Sequence, residues 1–556
     1  MADSDLLPRP KRWDKPFATP ESIPDLAEVL SLPLFEQIDP DNFPPSLPIF
    51  GIIENDARII HVKRDEIIIR AGDYGNSAFL ILSGKADVVL PPGLPEKLLG
   101  RSDNKNSLIS KVLDTLNLKK KDNIAHSSLL AVGDGETVRT FLPNAKNVMS
   151  ELETITLEAG DIFGEVAALT RAPRIASIIA QNDCKLLEIR WQGLREMRKY
   201  SPRFQSHVDQ YFRDRNMISY LRNIKLFSGL DNESLDELAK ETLFESYGEA
   251  DWYTQHEKLE SSSIEHEAMI AAEDSYADGV LIVLSGFARI SHKYNNGEQT
   301  TGFLRAGDVF GLEDIHQQHA KKSSDNAAVY GSSLRAIGYT NVLRIPSWII
   351  EETILGSPST DAWLTVNQSS IKPNELTKIG MLEFLMDHYY INGTSTMMID
   401  MERCIRCDDC VTACASAHNN VPQFSRSGEI HNQFMIASAC MHCTDPVCLV
   451  GCPTGAIHRS SEKGEVIINE NTCIGCETCA NACPYDNIQM VTQLNKEGLA
   501  ILDEKTHKPL LKATKCDLCI NKLGGPACVN ACPHDALVRV DMKENPTLTN
   551  FLDRHL

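Results

Sequence analysis

Up to Arg403 the chain sets short apolar runs between Gly- and Asp-marked breaks, and one such pattern occurs twice. Each copy opens on a short helical segment, LPLFEQI around Leu34-Phe35 and IKLFSGL around Leu226-Phe227. A strand-rich stretch follows, marked by Leu82-Ser83-Gly84 in one copy and Leu284-Ser285-Gly286 in the other. Then comes a glycine corner, AGDIFGE from Ala159 to Glu165 against AGDVFGLE from Ala306 to Glu313. A closing strand, LLEIR or VLRIP, leads into a helix. Short β runs bounded by Gly and Asp predict a small barrel for each copy. The wide spacing predicts a tandem pair rather than a stacked array. Trp191 to Leu221 reads as helical, with Phe204, Val208, Tyr211 and Phe212 three and four residues apart.

The first copy carries an insertion, roughly Pro91 to Glu151, with Ser/Asn-rich stretches and the basic run Lys119-Lys120-Lys121. A long polar insertion in a barrel loop is ordinarily solvated, so this one is expected outside the core. Cys184, in the strand-like DCKLLEI, is read as a small buried apolar residue.

Composition changes sharply after Arg403: sixteen of the seventeen cysteines lie between Cys404 and Cys532, in four sets of four. Set one is Cys404, Cys407, Cys410 and Cys414; set two is Cys440, Cys443, Cys448 and Cys452. Set three is Cys473, Cys476, Cys479 and Cys483; set four is Cys516, Cys519, Cys528 and Cys532. Sets one and three read C-x2-C-x2-C-x3-C, and sets two, three and four end in Cys-Pro. This is the bacterial iron–sulfur pattern, in which the fourth cysteine ligates a different cluster from the first three. Structural zinc also uses C-x2-C pairs but has no need of triplets followed by C-x3-C-P. Sixteen thiolates match four [4Fe–4S] clusters with none left over. Three cysteines at this spacing can wrap a tight loop around one cubane face. The fourth is expected to begin a helix, with Pro453, Pro484 and Pro533 at the helix start. His442, between two ligands, is read as an exposed loop histidine.

The segment resembles the four-cluster electron-transfer subunits of dimethyl sulfoxide and nitrate reductases and the related hydrogenase and nitrite-reductase ferredoxins. The resemblance is carried by CIRCDDCVTACASAHNNVP from Cys404, CMHCTDPVCLVGCPTG from Cys440, CIGCETCANACPY from Cys473 and KCDLCINKLGGPACVNACPHDAL from Lys515. It implies shared ligation between sets one and four and between sets two and three. The implied clusters are Cys404/Cys407/Cys410 with Cys532, Cys516/Cys519/Cys528 with Cys414, Cys440/Cys443/Cys448 with Cys483, and Cys473/Cys476/Cys479 with Cys452. It also implies a redox partner, a molybdopterin or flavin oxidoreductase subunit.

The barrels have the layout of cyclic nucleotide-binding domains. In the first, GEVAALTRAPRIASIIA from Gly164 to Ala180 resembles the phosphate cassette of the catabolite activator protein and of protein kinase A regulatory subunits. The resemblance implies that Glu165 takes the ribose 2′-hydroxyl and that Arg174 pairs with the cyclic phosphate, which its planar fork matches. Amides from Gly164 to Ala167 would face the same phosphate. Ile175 stands where cGMP-selective relatives carry Thr, which favours cAMP or a different ligand. In the family the helix after the barrel moves over the bound base. The second copy keeps Gly311 and Glu313 but has no Pro-Arg, only Ser332, Ser333 and Leu334 before Arg335, and is expected to serve as scaffold or docking surface.

The expected fold class is α+β, with two cyclic-nucleotide-binding-type β-barrel (jelly-roll) domains followed by a double bacterial-ferredoxin-like α+β domain. The expected boundaries are an N-terminal extension over 1–30, a first barrel over 31–220 with its insertion at 91–151, a degenerate second barrel over 221–370, and the four-cluster region over 371–556. No run of about 18 apolar residues exists, so no integral membrane segment is expected. The opening MADSDLLPRPKRWDKPF has neither a secretory apolar core nor a twin-arginine pair, which points to the cytoplasm. A net charge of −21 argues against nucleic acid as a partner and suits encounter with basic patches on redox proteins. There is no dinucleotide fingerprint, flavin motif or nucleophile arrangement. The reading is an electron carrier, with cAMP or another cyclic nucleotide as effector. The alternative is a signalling protein whose clusters sense oxygen or redox state.

Overall fold

The strand pattern of the first copy resolves into two antiparallel sheets. One places Ala57–Val62, Cys184–Arg190, Ser77–Ser83 and Ile162–Phe163 side by side. The other runs Leu130–Val132, Thr137–Phe141, Glu66–Ile69, Ser177–Ala180, Ala86–Val89, Thr154–Leu157. Phe79, Ile81, Phe163, Ile178, Leu186 and Cys184 are buried in one cluster, so Cys184 is the small core residue expected. The computed structural model describes residues 6–36, 38–90, 93–94, 98–99, 130–132, 137–142, 145–150, 152–170, 173–211, 217–227, 229–249, 267–295, 297–321, 328–355, 376–522 and 524–542.

The protein divides into two compact units. One comprises Pro16–Ser219 with Arg459–Gly464, and the other Met1–Lys15, Tyr220–His458 and Glu465–Leu556. In the first unit the described ends of the insertion are not simply solvated. Two of its strands extend the second sheet, and Leu94, Leu99, Leu142 and Ala145 bury against Ile67 and Val89. The expected polar exterior overlooked these apolar positions at the insertion's margins. Lys119, Lys120 and Lys121 lie outside the described residues. The stretch after the barrel is helical but interrupted, as Trp191–Tyr200, Pro202–Tyr211 and Met217–Asn223. Pro202 lacks an amide hydrogen and starts a new helix rather than extending the old one. Phe204 and Val208 are buried, and Phe212 lies outside the described residues.

In the second unit the barrel is built on two long strands, Gly279–Tyr294 and Ser333–Pro346, with four shorter ones. Their register slips between Val283 and Ser285 and again between Ser285 and Phe287, which bends the pair. Gly286 sits at that bend with φ +86°, where an added Cβ would stand 2.5 Å from the Tyr339 carbonyl oxygen. The cysteine-rich region centres on Thr396–Asp400, flanked by Phe434–Ala439 and Leu537–Val540, with Phe424–His431 at the edge. Two two-stranded ribbons complete it, Ile457–Arg459 with Val466–Ile468 and Gln489–Thr492 with Leu511–Thr514.

Barrel and cysteine-rich sheet share one core in this unit. Phe287 and Ile337 pack with Met381, Leu385 and Met386 of helix Leu376–Asp387 and with Phe434, Ile436 and Val540. Each such side chain contributes about 1.5–3 kcal/mol on burial. Arg289, fully buried, donates to Glu267 at 2.7 Å, Asp387 at 2.8 Å and Thr300 at 2.9 Å, which ties the helix to the barrel. The N-terminal extension is itself divided. Leu6–Leu7 pairs in parallel with Leu502–Asp503, whereas Leu26–Leu30, capped by Asp25, belongs to the first unit. No helix among the described residues is long and apolar enough to cross a membrane.

Gly286 and Gly307 separate two costs of the same substitution, because Gly307 has φ +92° but open space around its Cβ position. Gly307→Ala is expected to lose about 1–2 kcal/mol from the left-handed backbone alone. Gly286→Ala should lose more, about 4 kcal/mol, because backbone must also move. Denaturant unfolding of the two variants checks the order.

Candidate functional site

Each cysteine loop is bent by residues in the left-handed region. The residue before the second cysteine has positive φ in all four sets: Arg406 63°, His442 50°, Gly475 64° and Leu518 57°. In sets one and three the residue after it does too, Asp408 at 63° and Glu477 at 66°. Only one of these six is glycine, and non-glycine residues are uncommon there. Such turns aim successive amides into one concavity, a form that binds anions and iron–sulfur centres.

The helices correct the sequence expectation. They begin around the third cysteine, not the fourth: Asp409–Ala417 holds Cys410, Val447–Val450 holds Cys448, Thr478–Ala482 holds Cys479 and Ala527–Asn530 holds Cys528. Cys452, Cys483 and Cys532 lie just past the last helical residue, and the following proline terminates the helix. Set one has Ala415 in place of that proline, and its helix runs on through Cys414 to Ala417.

Segments far apart in sequence meet at the thiols. Cys404, Cys407 and Cys410 line one cavity with Cys532. Cys473, Cys476 and Cys479 line another with Cys452. The Cys414 thiol feels Cys516, Cys528 and Cys519, and Cys448 feels Cys483 and Cys440. Cys443 and Cys483 both act on the buried Tyr485 hydroxyl. Burial, reinforced by neighbouring thiols, pushes Cys410, Cys414 and Cys483 up to about 11 and Cys479 to about 12. Loss of these protons is therefore coupled to binding of a cationic metal. Iron–sulfur clusters are held by cysteine thiolates, and these donor sets are cysteine alone. Amides point at the sulfurs as well: Gln423 to Cys414 at 3.3 Å, Ile457 to Cys452 at 3.4 Å, Ala536 to Cys532 at 3.4 Å. All three donors lie past their helix ends.

His442 is not an exposed loop residue; it is 1% exposed. Its Nδ1 accepts the Val466 amide at 3.1 Å, so Nε2 carries the proton and donates to the Cys516 carbonyl at 3.1 Å. Three groups escaped the sequence reading. His418 lies between the Cys414 carbonyl at 2.8 Å and Asp517 at 2.9 Å. Arg539 donates to Cys516 Sγ at 3.1 Å, and Lys515 is buried against backbone carbonyls. Lys515 and Asp517 flank a ligand and were within reach of a spacing argument; Arg539, on a strand beyond set four, was not.

In the first barrel the corner at Gly164 (φ +77°) leads into helix Glu165–Thr170. Gly164, Arg174, Phe163, Ile178 and Tyr211 line one apolar cavity. Arg174 is buried, and its fork donates to the Ser77 carbonyl at 2.7 Å and to the Gly164 carbonyl. Gly75 lies flat on the guanidinium, where a Cβ would come within 2.1 Å. Burial pulls Arg174 down to about 10, opposed by Glu165, Glu188 and Asp73. Glu165 is buried beside it, 1% exposed. A second, small cavity holds Arg174 together with Arg70, Asp73, Asn76 and Ser461.

Ser461 belongs to the 459–464 segment of the same unit. The Asn76 side chain clasps Arg459 through both backbone groups, at 3.2 and 3.3 Å, and the Tyr74 amide donates to Ser461 at 2.8 Å. Arg70 reaches Glu462 at 3.3 Å, and the Arg459 guanidinium lies 4.7 Å from the Tyr74 ring centre. In the second barrel Arg335 is taken up by Glu298 at 2.6 Å, and the Ser333 hydroxyl accepts the Glu273 amide.

Residues 431–542 match the model of the 4Fe-4S dicluster domain, which begins after set one. Residues 128–201 and 262–354 match the cyclic nucleotide-binding domain. The electron transport protein HydN of Escherichia coli is 37% identical over 156 residues, 26% of this protein and 87% of HydN. A subunit of the anaerobic dimethyl sulfoxide reductase of Haemophilus influenzae is 35% identical over 142 residues, 22% of this protein and 61% of that subunit. AegA of Escherichia coli, a putative oxidoreductase by name, is 34% identical over 149 residues, 25% of this protein, which spans only 21% of AegA.

Replacing His442 with Ala strands the Val466 amide, while the Cys516 carbonyl keeps its bond from Lys515 Nζ. Each buried group left unpaired costs about 1–3 kcal/mol. His442→Ala should therefore lower the unfolding free energy by about 1–3 kcal/mol, measured by denaturant titration of the whole chain.

Proposed function

The protein belongs to the iron–sulfur electron-transport proteins built on the 4Fe-4S dicluster domain, and from that premise we propose that it carries four [4Fe–4S] clusters and relays electrons to or from a partner oxidoreductase. The observation that carries the reading is the meeting of Cys532 with the Cys404 loop and of Cys452 with the Cys473 loop. Ligands 128 residues apart in number (404 to 532) share one cavity there, which a locally closed metal site does not need. The thiolates hold the irons, the loop amides and N–H···S bonds stabilise the negative cluster, and the clusters themselves supply one-electron exchange. The partner carries the bond chemistry. A molybdopterin or flavin oxidoreductase fits, since one relative is named as part of a dimethyl sulfoxide reductase.

A cyclic nucleotide in the first barrel, held by Glu165 and Arg174 at the Gly164 corner, is the proposed effector. Arg174 sits buried at an electrostatic cost, and an anion in the cavity competes with the Ser77 and Gly164 carbonyls for its fork. The turn from Arg70 to Ser77 supports Arg174 and also grips residues 459–464, the tip of the ribbon whose Ile457 donates to Cys452 Sγ. Ligand binding is thereby linked to the hold on a segment adjoining set two.

Anaerobically prepared protein should contain about sixteen irons and sixteen acid-labile sulfides. Saturation near eight after full reconstitution rejects the four-cluster reading. Cys532→Ser should damage the cluster of Cys404, Cys407 and Cys410 and spare that of Cys516, Cys519 and Cys528; electron paramagnetic resonance showing the reverse rejects the pairing.

Saturating cAMP or cGMP should raise the stability of the first barrel by about 2.7 kcal/mol at a hundredfold excess over Kd. Arg174→Ala should abolish that gain, and Ser333→Ala should leave it intact. Hydrogen exchange at residues 459–464 should change with the ligand. Calorimetry that detects no cyclic mono- or dinucleotide binding to the full chain removes the effector.

A further inference from the structure

Cys516 is the point on which three donors converge. Its Sγ accepts from Arg539 at 3.1 Å, and its carbonyl accepts from Lys515 Nζ and His442 Nε2, each at 3.1 Å. Arg539 also donates to the Cys440 carbonyl at 3.3 Å, and Lys515 to the Val466 carbonyl. The guanidinium and the imidazole therefore join the Cys440 loop to the Cys516 loop, and the ammonium joins the Val466 strand to it.

Lys515 is 5% exposed and both its acceptors are backbone carbonyls; no carboxylate pairs with it among the described residues. Lysine is almost never fully buried without opposite charge nearby. The nearby Asp517 carboxylate is directed to His418 and to the Cys519 amide, each at 2.9 Å. What remains to balance Lys515 and Arg539 is negative charge on the thiolates of sets two and four and whatever they ligate. The other two groups differ. Arg426 beside set one is neutralised by Asp408 at 2.7 Å, and Cys407 and Cys476 are exposed to solvent, which screens charge.

We propose that Lys515 and Arg539 are positioning residues that set the reduction potentials of the two inner clusters, those of the Cys440 and Cys516 loops, an inference that rests on the four-cluster reading. Reduction adds one negative charge to a thiolate-ligated cluster. A fixed cation in a poorly solvated site favours that charge and raises the potential. The pair thus favours the reduced form of these two clusters despite the burial of their loops.

The test is a potentiometric titration of the full chain followed by electron paramagnetic resonance, with iron counted in parallel. Cys407→Ser and Cys476→Ser identify the signals of the outer clusters. Lys515→Met and Arg539→Gln should each disfavour reduction of the inner clusters by at least tenfold, about 59 mV for one electron, and leave the outer pair unmoved. Arg539→Lys, which keeps the cation, should show little of that shift. Full iron and four signals with unmoved inner potentials overturn the proposal, as does an equal shift of all four. Loss of iron in both variants makes the residues merely structural and also overturns it. Fewer than four reducible clusters in the wild-type protein instead defeats the four-cluster reading, and the proposal falls with it.

Discussion

Convergence of thiols from separate segments is the constraint on which the cysteine-rich region depends. Cys532 must reach the Cys404 loop and Cys452 the Cys473 loop, so the intervening residues have to return to their starting point. The central strand Thr396–Asp400 does this by pairing with Leu537–Val540, which follows set four closely. The short helices, stopped by proline in three sets, reverse the backbone at the fourth cysteine. Thiols brought this close and buried cannot all ionise on their own, and burial holds Cys479 near 12. Metal is therefore part of the folding problem as well as of the function.

Much of this was legible in the residues. Cysteine spacing marked the loops, and the two glycine corners marked the barrels, because φ above +70° at Gly164 and Gly311 suits only glycine. The cassette pointed to Arg174, which the structure buries at the Gly164 corner. The failures share a cause: local sequence does not report what a distant segment brings. His442 looked like a polar loop residue, and its burial depends on Val466 and Cys516 arriving from elsewhere. The insertion looked solvated because its polar middle outweighed four apolar residues at its margins. Proline after the fourth cysteine suits a helix start or a helix end, and only the backbone distinguishes them.

The two barrels show how one fold is kept for different ends. The first buries Arg174 against carbonyls in an apolar cavity, while its other buried arginines pair with carboxylates, Arg70 with Asp73 and Arg190 with Asp56. The second has committed its arginines to carboxylates, Arg289 to Glu267 and Asp387, Arg335 to Glu298. A guanidinium already paired with a carboxylate gains little from a phosphate, since it must give up one charged partner to take another. Arg289 additionally braces helix Leu376–Asp387, whose methionines share a core with the cysteine-rich sheet. Removing a partner from so buried an ion pair is costly.

That asymmetry determines where regulation can enter. A responsive element needs two arrangements of similar energy, and a saturated ion network offers only one. The first barrel's Arg174 is different, because its acceptors are neutral carbonyls rather than carboxylates. The turn from Arg70 to Ser77 answers to that choice on one side and holds Arg459 and Ser461 on the other. Any coupling through it is reciprocal. If an anion at Arg174 changes the hold on residues 459–464, then a change at the root of that ribbon, where Ile457 meets Cys452, changes anion affinity by the same factor.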